Sequence, residues 1–66
     1  MIKLIVTKNF EITTTPTETI FANVGDVLIV KIRDSEHYNI LKLNGKNIFS
    51  RWMRQAWVNS KTNKIK

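Results

Sequence analysis

The chain has no cysteine, one histidine, one proline and two glycines among its 66 residues. Without cysteine it forms neither a disulfide nor a thiolate zinc site, and one histidine cannot build a histidine-rich metal centre. Two glycines are too few for the known glycine-rich loops that bind phosphate groups. We therefore predict no metal and no cofactor, and the absence of cysteine favours a reducing, cytoplasmic location.

Long apolar runs are also missing. No stretch approaches the ~20 apolar residues that a membrane span requires. The apolar residues from Met1 to Val6 are interrupted by Lys3, and they do not resemble a secretory signal. We therefore expect a soluble protein without a membrane partner.

Acidic residues are few, with five carboxylates against eleven lysines and arginines, for a net charge of +6. Residues 1–33 have four basic and three acidic side chains, a net of +1, whereas residues 34–66 have seven and two, a net of +5. This asymmetry favours nucleic acid or an acidic protein surface as the partner. Codon bias is the alternative explanation for the lysines, since the chain also has nine isoleucines and seven asparagines.

The polar side chains give little support for catalysis. The segment Asp34-Ser35-Glu36-His37 contains the residue types of a catalytic triad. Residues adjacent in one turn cannot align a nucleophile, a base and an orienting acid, so we interpret the segment as a hydrophilic turn. We predict that the protein is not an enzyme and that His37 is an exposed residue at the start of a strand, with a pH switch as the alternative.

A chain of this length forms one domain at most, and it buries only about 60% of its unfolded surface. Small domains without disulfides or metals depend on efficient packing or on a partner. Self-association into a homodimer, through strand edges or a tryptophan face, is therefore an alternative that the sequence leaves open.

Apolar and β-branched residues alternate in several short segments, which predicts strands. The segments are 2–7, 10–13, 19–24, 27–33 and 37–43. Residues 27–33 are expected to be the most buried strand, with Leu28, Val30 and Ile32 on one face. Pro16 predicts a loop over residues 13–18, because proline donates no backbone hydrogen bond to a ladder.

Two dipeptides predict tight turns, Gly25-Asp26 and Asn44-Gly45. Asn-Gly favours a two-residue type I′ hairpin. Such a turn would pair Leu43 with Lys46, Leu41 with Ile48 and Ile40 with Phe49.

The segment Arg51-Trp52-Met53-Arg54-Gln55-Ala56-Trp57 contains both tryptophans and two of the three arginines. At about 100° per residue, its apolar side chains fall on one side of a helix and the arginines on the other. We predict a helix over residues 50–59, with Ser50 as its N-cap. The apolar side, Trp52, Met53, Ala56 and Trp57, is expected to close one end of the core. Both tryptophans lie at the edges of this arc, so half exposure of each ring is the alternative. Residues 1–60 would then form the domain, and residues 61–66 a flexible basic tail.

About five short strands with one helix near the C-terminus are typical of a small β-barrel. The turn and strand from Val24 to Val30, followed by Tyr38 to Ile40 and by Asn44-Gly45, resemble SH3-like small barrels over residues 20–58. The resemblance implies a mainly β fold, a small SH3-like barrel of antiparallel strands. It also implies a binding module, because such barrels bind nucleic acids, peptides and proteins alike.

Two functional hypotheses follow. The first is a small non-enzymatic nucleic-acid-binding or transcription-associated protein that uses its basic C-terminal half, without reading bases. The second is a phage-type accessory or inhibitor protein that docks on a larger host protein through its basic and tryptophan surface. The same side chains are the candidates for both: Lys42, Lys46, Arg51, Arg54, Trp57, Lys61 and Lys64.

Overall fold

The computed structural model describes residues 1–15, 17–48 and 52–65. Within these residues the chain forms eight strands and one helix. Their bounds are β1 Ile2–Val6, β2 Phe10–Thr15, β3 Glu18–Ala22, β4 Val27–Ile32, β5 His37–Leu43, β6 Lys46–Asn47, β7 Met53–Arg54, α1 Gln55–Asn59 and β8 Thr62–Lys64. The predicted mainly β fold with one short helix near the C-terminus is confirmed.

The strands form two antiparallel sheets. The main sheet has the order β6-β5-β4-β1-β8, and β7 pairs with the first residues of β5. The second sheet is the hairpin β2-β3, which connects β1 to its neighbour β4. Among the described residues no ladder joins β6 or β7 to β8, so the closed SH3-like barrel stays a prediction.

One face of the main sheet, which we call the inner face, carries the core. Alternate residues of the strands point to it, as the two-residue period of a strand requires. Leu4, Leu28, Val30 and Ile40 are almost completely buried there. The hairpin and α1 cover this face with four further buried side chains: Phe10, Ile12, Ala22 and Val58.

Residues 27–33 were predicted to form the most buried strand. This prediction is confirmed at two of the three positions on its inner face. Leu28 and Val30 are fully buried, but Ile32 is 56% exposed because β4 ends at this residue.

The Asn44-Gly45 hairpin forms as predicted. Both residues have positive φ, 50° and 82°, which is the signature of a type I′ turn. Leu43 opposes Lys46, and the Ile48 amide donates to the Leu41 carbonyl at 3.0 Å. The predicted pairing of Ile40 with Phe49 lies outside the described residues.

The loop predicted over residues 13–18 is largely strand. β2 continues to Thr15 and β3 begins at Glu18, so the segment is a hairpin. The Thr14 hydroxyl donates to the Glu18 carbonyl at 3.2 Å across the turn. Threonine favours extended backbone, and a register shift between Thr13 and Thr15 accommodates the turn. Pro16 itself lies outside the described residues.

The predicted helix over residues 50–59 is too long at its N-terminal end. Met53 and Arg54 form β7, opposite Tyr38 and His37, and α1 begins only at Gln55. The Gln55 amide donates to the Glu36 carbonyl at 2.8 Å. Hydrogen bonds to β5 and its turn therefore replace those of a first helical turn. The predicted N-cap, Ser50, lies outside the described residues.

The prediction of a flexible tail is wrong for the described part of residues 61–66. Thr62–Lys64 form β8, with Thr62 opposite Val6 and Lys64 opposite Leu4. Thr62 is buried, and its hydroxyl donates to the Val58 carbonyl at 2.8 Å. The strand has a single inward-facing buried residue, which is too little for an alternating pattern to be visible in the sequence.

Candidate nucleic-acid interface

Charge in this protein is divided between the two sheets. The main sheet has no acidic residue in its described strands, and it has six basic ones: Lys3, Lys31, Lys42, Lys46, Arg54 and Lys64. The described strands of the hairpin β2-β3 have Glu11 and Glu18 and no basic residue. The three other carboxylates lie in turns. The positive field thus belongs to the main sheet, which includes β1 and β4 from the first half of the chain.

The outer face of the main sheet, opposite the core, presents part of this charge. Directly opposed residues of an antiparallel ladder point to the same face. Lys3 on β1 and Lys42 on β5 both oppose Ile29 on β4, which places one lysine on each side of it. Lys31 opposes Asn39 in the next outward-facing row. All three lysines are exposed.

Lys42 reaches this face through an irregularity in the ladder. The register shifts between Ile29 and Val30, so that Val30 opposes Ile40 while Ile29 opposes Lys42. Leu41 is left without a partner on β4. An extra residue of this kind reverses the alternation that follows it, so Lys42 faces outward and Leu43 faces the core.

Trp52 lies at one end of the outer face, beside a cation. Its side chain is 52% exposed. The Arg33 guanidinium carbon is 4.5 Å from the centroid of the indole ring, within range of a cation–π interaction. The His37 ring meets the indole edge-to-face, with 4.6 Å between centroids. Trp52 precedes β7, Arg33 follows β4 and His37 begins β5, and their side chains form one aromatic and basic cluster.

His37 is less exposed than predicted. Its side chain is only 20% exposed, because it lies between Trp52 and Asp34. Its Nδ1 is 2.9 Å from the Asp34 carboxylate, which also accepts a hydrogen bond from the Glu36 amide at 2.8 Å. The bond from the Glu36 amide and then the contact with His37 lower the pKa of Asp34. No hydrogen bond in the described chain joins Ser35 to His37.

Trp57 forms the second pair of a tryptophan and a cation. Its side chain is 51% exposed, and the Lys61 ammonium is 4.3 Å from its ring centroid. In α1, Val58 points to the core and Asn59 accepts a hydrogen bond from the Tyr38 hydroxyl at 3.1 Å. At about 100° per residue, Trp57 therefore points to solvent.

The apolar helix side predicted from the sequence does not form. Ala56 is exposed and both tryptophans are half exposed, while Met53 alone of the four packs against the core. The reason is that α1 begins at Gln55 and packs through Val58, which the predicted arc left out.

The predicted binding residues are distributed over several surfaces. Trp57 and Lys61 are in contact, and Lys42 lies on the outer face. Arg54, on β7, is paired with His37 of β5. Lys46 and Lys64 lie on β6 and β8, at opposite edges of the main sheet. Arg51 lies outside the described residues.

Sequence reasoning missed several members of the basic and aromatic surface: Lys3, Lys31, Arg33 and His37. It assigned Trp52 to the core. A signal was present in two of these cases, because Lys31 and Arg33 alternate with the buried residues of β4.

Other kinds of site have little support in the described residues. A shallow depression of about 560 Å³ is lined by Ser35, Glu36, Arg54, Gln55, Ala56 and Asn59. In the described chain no three acidic, histidine or cysteine side chains are grouped as metal ligands. None of the helices among these residues has the length and apolar character to cross a membrane.

Comparisons with protein-family models, with curated proteins and with solved structures found no match.

Proposed function

We propose that this protein is a small non-enzymatic nucleic-acid-binding protein. The observation that supports the proposal is the pairing of two half-exposed tryptophans, Trp52 and Trp57, each with a cation beside its ring. They belong to a protein whose main sheet carries basic side chains and, in its described strands, no acidic ones.

An indole beside a cation suits a nucleic acid because the two groups meet different parts of one nucleotide. The ring offers a stacking surface for a base, and such stacking contributes about 1–3 kcal/mol per base. The adjacent guanidinium or ammonium group is placed to contact a phosphate, with arginine offering two parallel hydrogen bonds. Arg33 with Trp52 and Lys61 with Trp57 both meet this description.

The cations are available for phosphate contacts. Across the described residues, the contact of His37 with Asp34 is the only one within 4 Å between a basic side chain and a carboxylate. No described lysine or arginine is therefore neutralised by a carboxylate. Binding of phosphates to such side chains releases counterions and weakens steeply as salt is added.

The arrangement supports binding without strong sequence preference. Lysine and arginine contacts to phosphates position a protein on nucleic acid but do not distinguish bases. Base stacking on an indole is also tolerant of sequence, because every base has a π-face.

Fluorescence anisotropy of labelled oligonucleotides tests the proposal. Mixed-sequence DNA and RNA of about 15 nucleotides, single-stranded and duplex, would be titrated with the protein in low salt and again in higher salt. We expect micromolar or tighter binding at low salt to at least one of these ligands, and weakening with salt. If none of the ligands binds at low salt, the proposal is wrong.

Matched charge variants test which cations matter. Arg33→Gln with Lys61→Gln removes the two cations that contact tryptophan, and Lys46→Gln with Lys64→Gln removes equal charge at the sheet edges. We expect the first pair of changes to weaken binding more. Equal weakening would show that net charge alone determines binding.

The hypothesis of docking on a host protein would be favoured if the wild type captured an acidic protein and no oligonucleotide.

A further inference from the structure

We infer that the outer face of the main sheet is a binding path for single-stranded nucleic acid, beginning at Trp52. The inference rests on the proposed function and narrows it, because it names both the ligand class and the surface. The face is defined by Arg33, Lys31, Ile29, Lys3 and Lys42, with Trp52 at its end.

The geometry of the face follows from its ladders. Lys3 and Lys42 lie on strands separated by β4, so about 10 Å separates their Cα atoms, given strand spacings of about 4.8 Å. Arg33 lies four positions after Ile29, which corresponds to about 13 Å along β4 and its end. The surface is thus large enough for a few nucleotides, at the lower end of the site sizes of about 4–16 nucleotides known for OB-folds.

The face combines apolar and basic side chains. Ile29 is partly buried between its two lysines, and Val27 and Ile5 continue the apolar centre on the next outward-facing row. The described parts of β1, β4 and β5 contain no carboxylate. Asp34, in the turn after Arg33, is the acidic side chain in contact with this end of the face, and it is bonded to His37.

This combination fits a single strand better than a duplex. A duplex presents phosphates and sugars at its surface and keeps the faces of its bases stacked inside. A single strand presents phosphates and unstacked bases together, and proteins bind it by aromatic stacking along a basic groove. An exposed indole and an apolar centre between lysines would contribute to single-strand binding and little to duplex binding.

Competition between matched ligands tests the inference on the full chain. A single strand of about 15 nucleotides and a duplex of the same length would each displace a labelled single strand. We expect the single strand to bind about tenfold more tightly, which is 1.4 kcal/mol and within the contribution of one stacked base. Equal affinity for both ligands would overturn the inference and leave the proposed function standing. Absence of binding to either would overturn both.

Tryptophan fluorescence locates the path. Trp57→Phe leaves Trp52 as the only fluorescent indole, and Trp52→Phe leaves only Trp57. We expect the single strand to quench the fluorescence of Trp52 in the first variant. Quenching confined to Trp57 would place the strand on α1 and overturn the inference.

The salt dependence of the binding constant measures how many lysines contact phosphates. Lys3→Gln with Lys42→Gln should reduce the slope of log K against log salt by about 1.4, because each contact with a single strand contributes about 0.7. The matched control, Lys46→Gln with Lys64→Gln, removes equal charge at the sheet edges. Circular dichroism and a urea titration would verify that both variants fold. An unchanged slope in a folded Lys3/Lys42 variant would exclude the outer face.

Discussion

The two faces of the main sheet have opposite characters although they alternate along the same strands. The inner face buries Leu4, Leu28, Val30 and Ile40 almost completely. The outer face pairs exposed lysines with the partly buried Ile29. The difference shows how a domain of 66 residues divides its surface, with one side of the sheet used for stability and the other left to solvent.

The division has a physical cause. A small domain has little apolar area to bury, and the β2-β3 hairpin with α1 covers only one face. Lysines on the uncovered face keep it solvated, and lysine on a sheet commonly disfavours association between strands of different chains. The same lysines create the positive surface on which the proposed function depends.

The largest expected effect is on the free energy of unfolding, and it compares two neighbouring residues of β4 that point to opposite faces. Leu28→Ala should lower the free energy of unfolding by about 2–5 kcal/mol, because it opens a cavity in the core. The neighbouring Ile29→Ala, on the outer face, should cost about 1 kcal/mol, since its side chain is only partly buried. Urea denaturation followed by circular dichroism measures both.

A total stability of about 3–10 kcal/mol is expected for a domain of this size, so Leu28→Ala could leave little folded protein. In that case the milder Leu28→Val, which still removes buried volume, provides the comparison with Ile29→Val. Equal costs at residues 28 and 29 would contradict the assignment of inner and outer faces.

The next effect tests whether β8 belongs to the inner face. Thr62→Ala removes a buried methyl group and the hydrogen bond to the Val58 carbonyl, which together contribute about 1–2 kcal/mol. The control is Asn63→Ala, an exposed neighbour that points to the outer face opposite Ile5. Thermal or urea unfolding would show the difference. If Thr62→Ala costs no more than Asn63→Ala, residues 62–64 do not stabilise the fold.

The smallest expected effect is a loss of stability in acid, and its origin is Asp26 in the turn before β4. Hydrogen bonds from the Asn23 amide and then from the Asn44 side chain lower the pKa of Asp26. Because the pKa is lower in the folded state, the carboxylate stabilises the fold above its unfolded pKa of about 3.9. This contribution is lost as the pH falls through the folded pKa.

Asp26→Asn should therefore be less stable than the wild type at pH 7, and the difference should be smaller at about pH 3, because it is lost as the pH falls through the lowered pKa of the folded state. Urea midpoints at the two pH values measure it. Glu11→Gln, an exposed carboxylate on the hairpin, is the control for the loss of one negative charge. A difference between wild type and Asp26→Asn that persisted undiminished in acid would contradict the assigned role of the turn.

Much of the fold was predictable because its signals are local. Alternating residues on β1 and β4, with Asn44-Gly45 after β5, predicted the strands and the register of one hairpin. These features depend on neighbours within a few residues, which a sequence displays directly. The pairing of Thr15 with Glu18 was harder to predict, because Pro16 favours a loop while the surrounding threonines pair across it.

The candidate site was predictable only in part. Trp57 and Lys61 are four residues apart and in contact, as their spacing allows. The contact of Arg33 with Trp52 joins residues 19 positions apart and depends on the pairing of β4, β5 and β7. Residues 53–54 form a strand because β5 supplies hydrogen-bond partners, although their own sequence favours a helix.

Three properties follow from the residues alone: the excess of positive charge, the absence of cysteine thiols and the mainly β character of the chain. Composition and local alternation are sufficient for these properties. The tertiary fold determines where the charge lies, because the shifted register beside Leu41 turns Lys42 outward, next to Ile29 and Lys3. It also decided that both tryptophans of the segment 51–57 face solvent, since packing through Val58 gave the helix a different inner side.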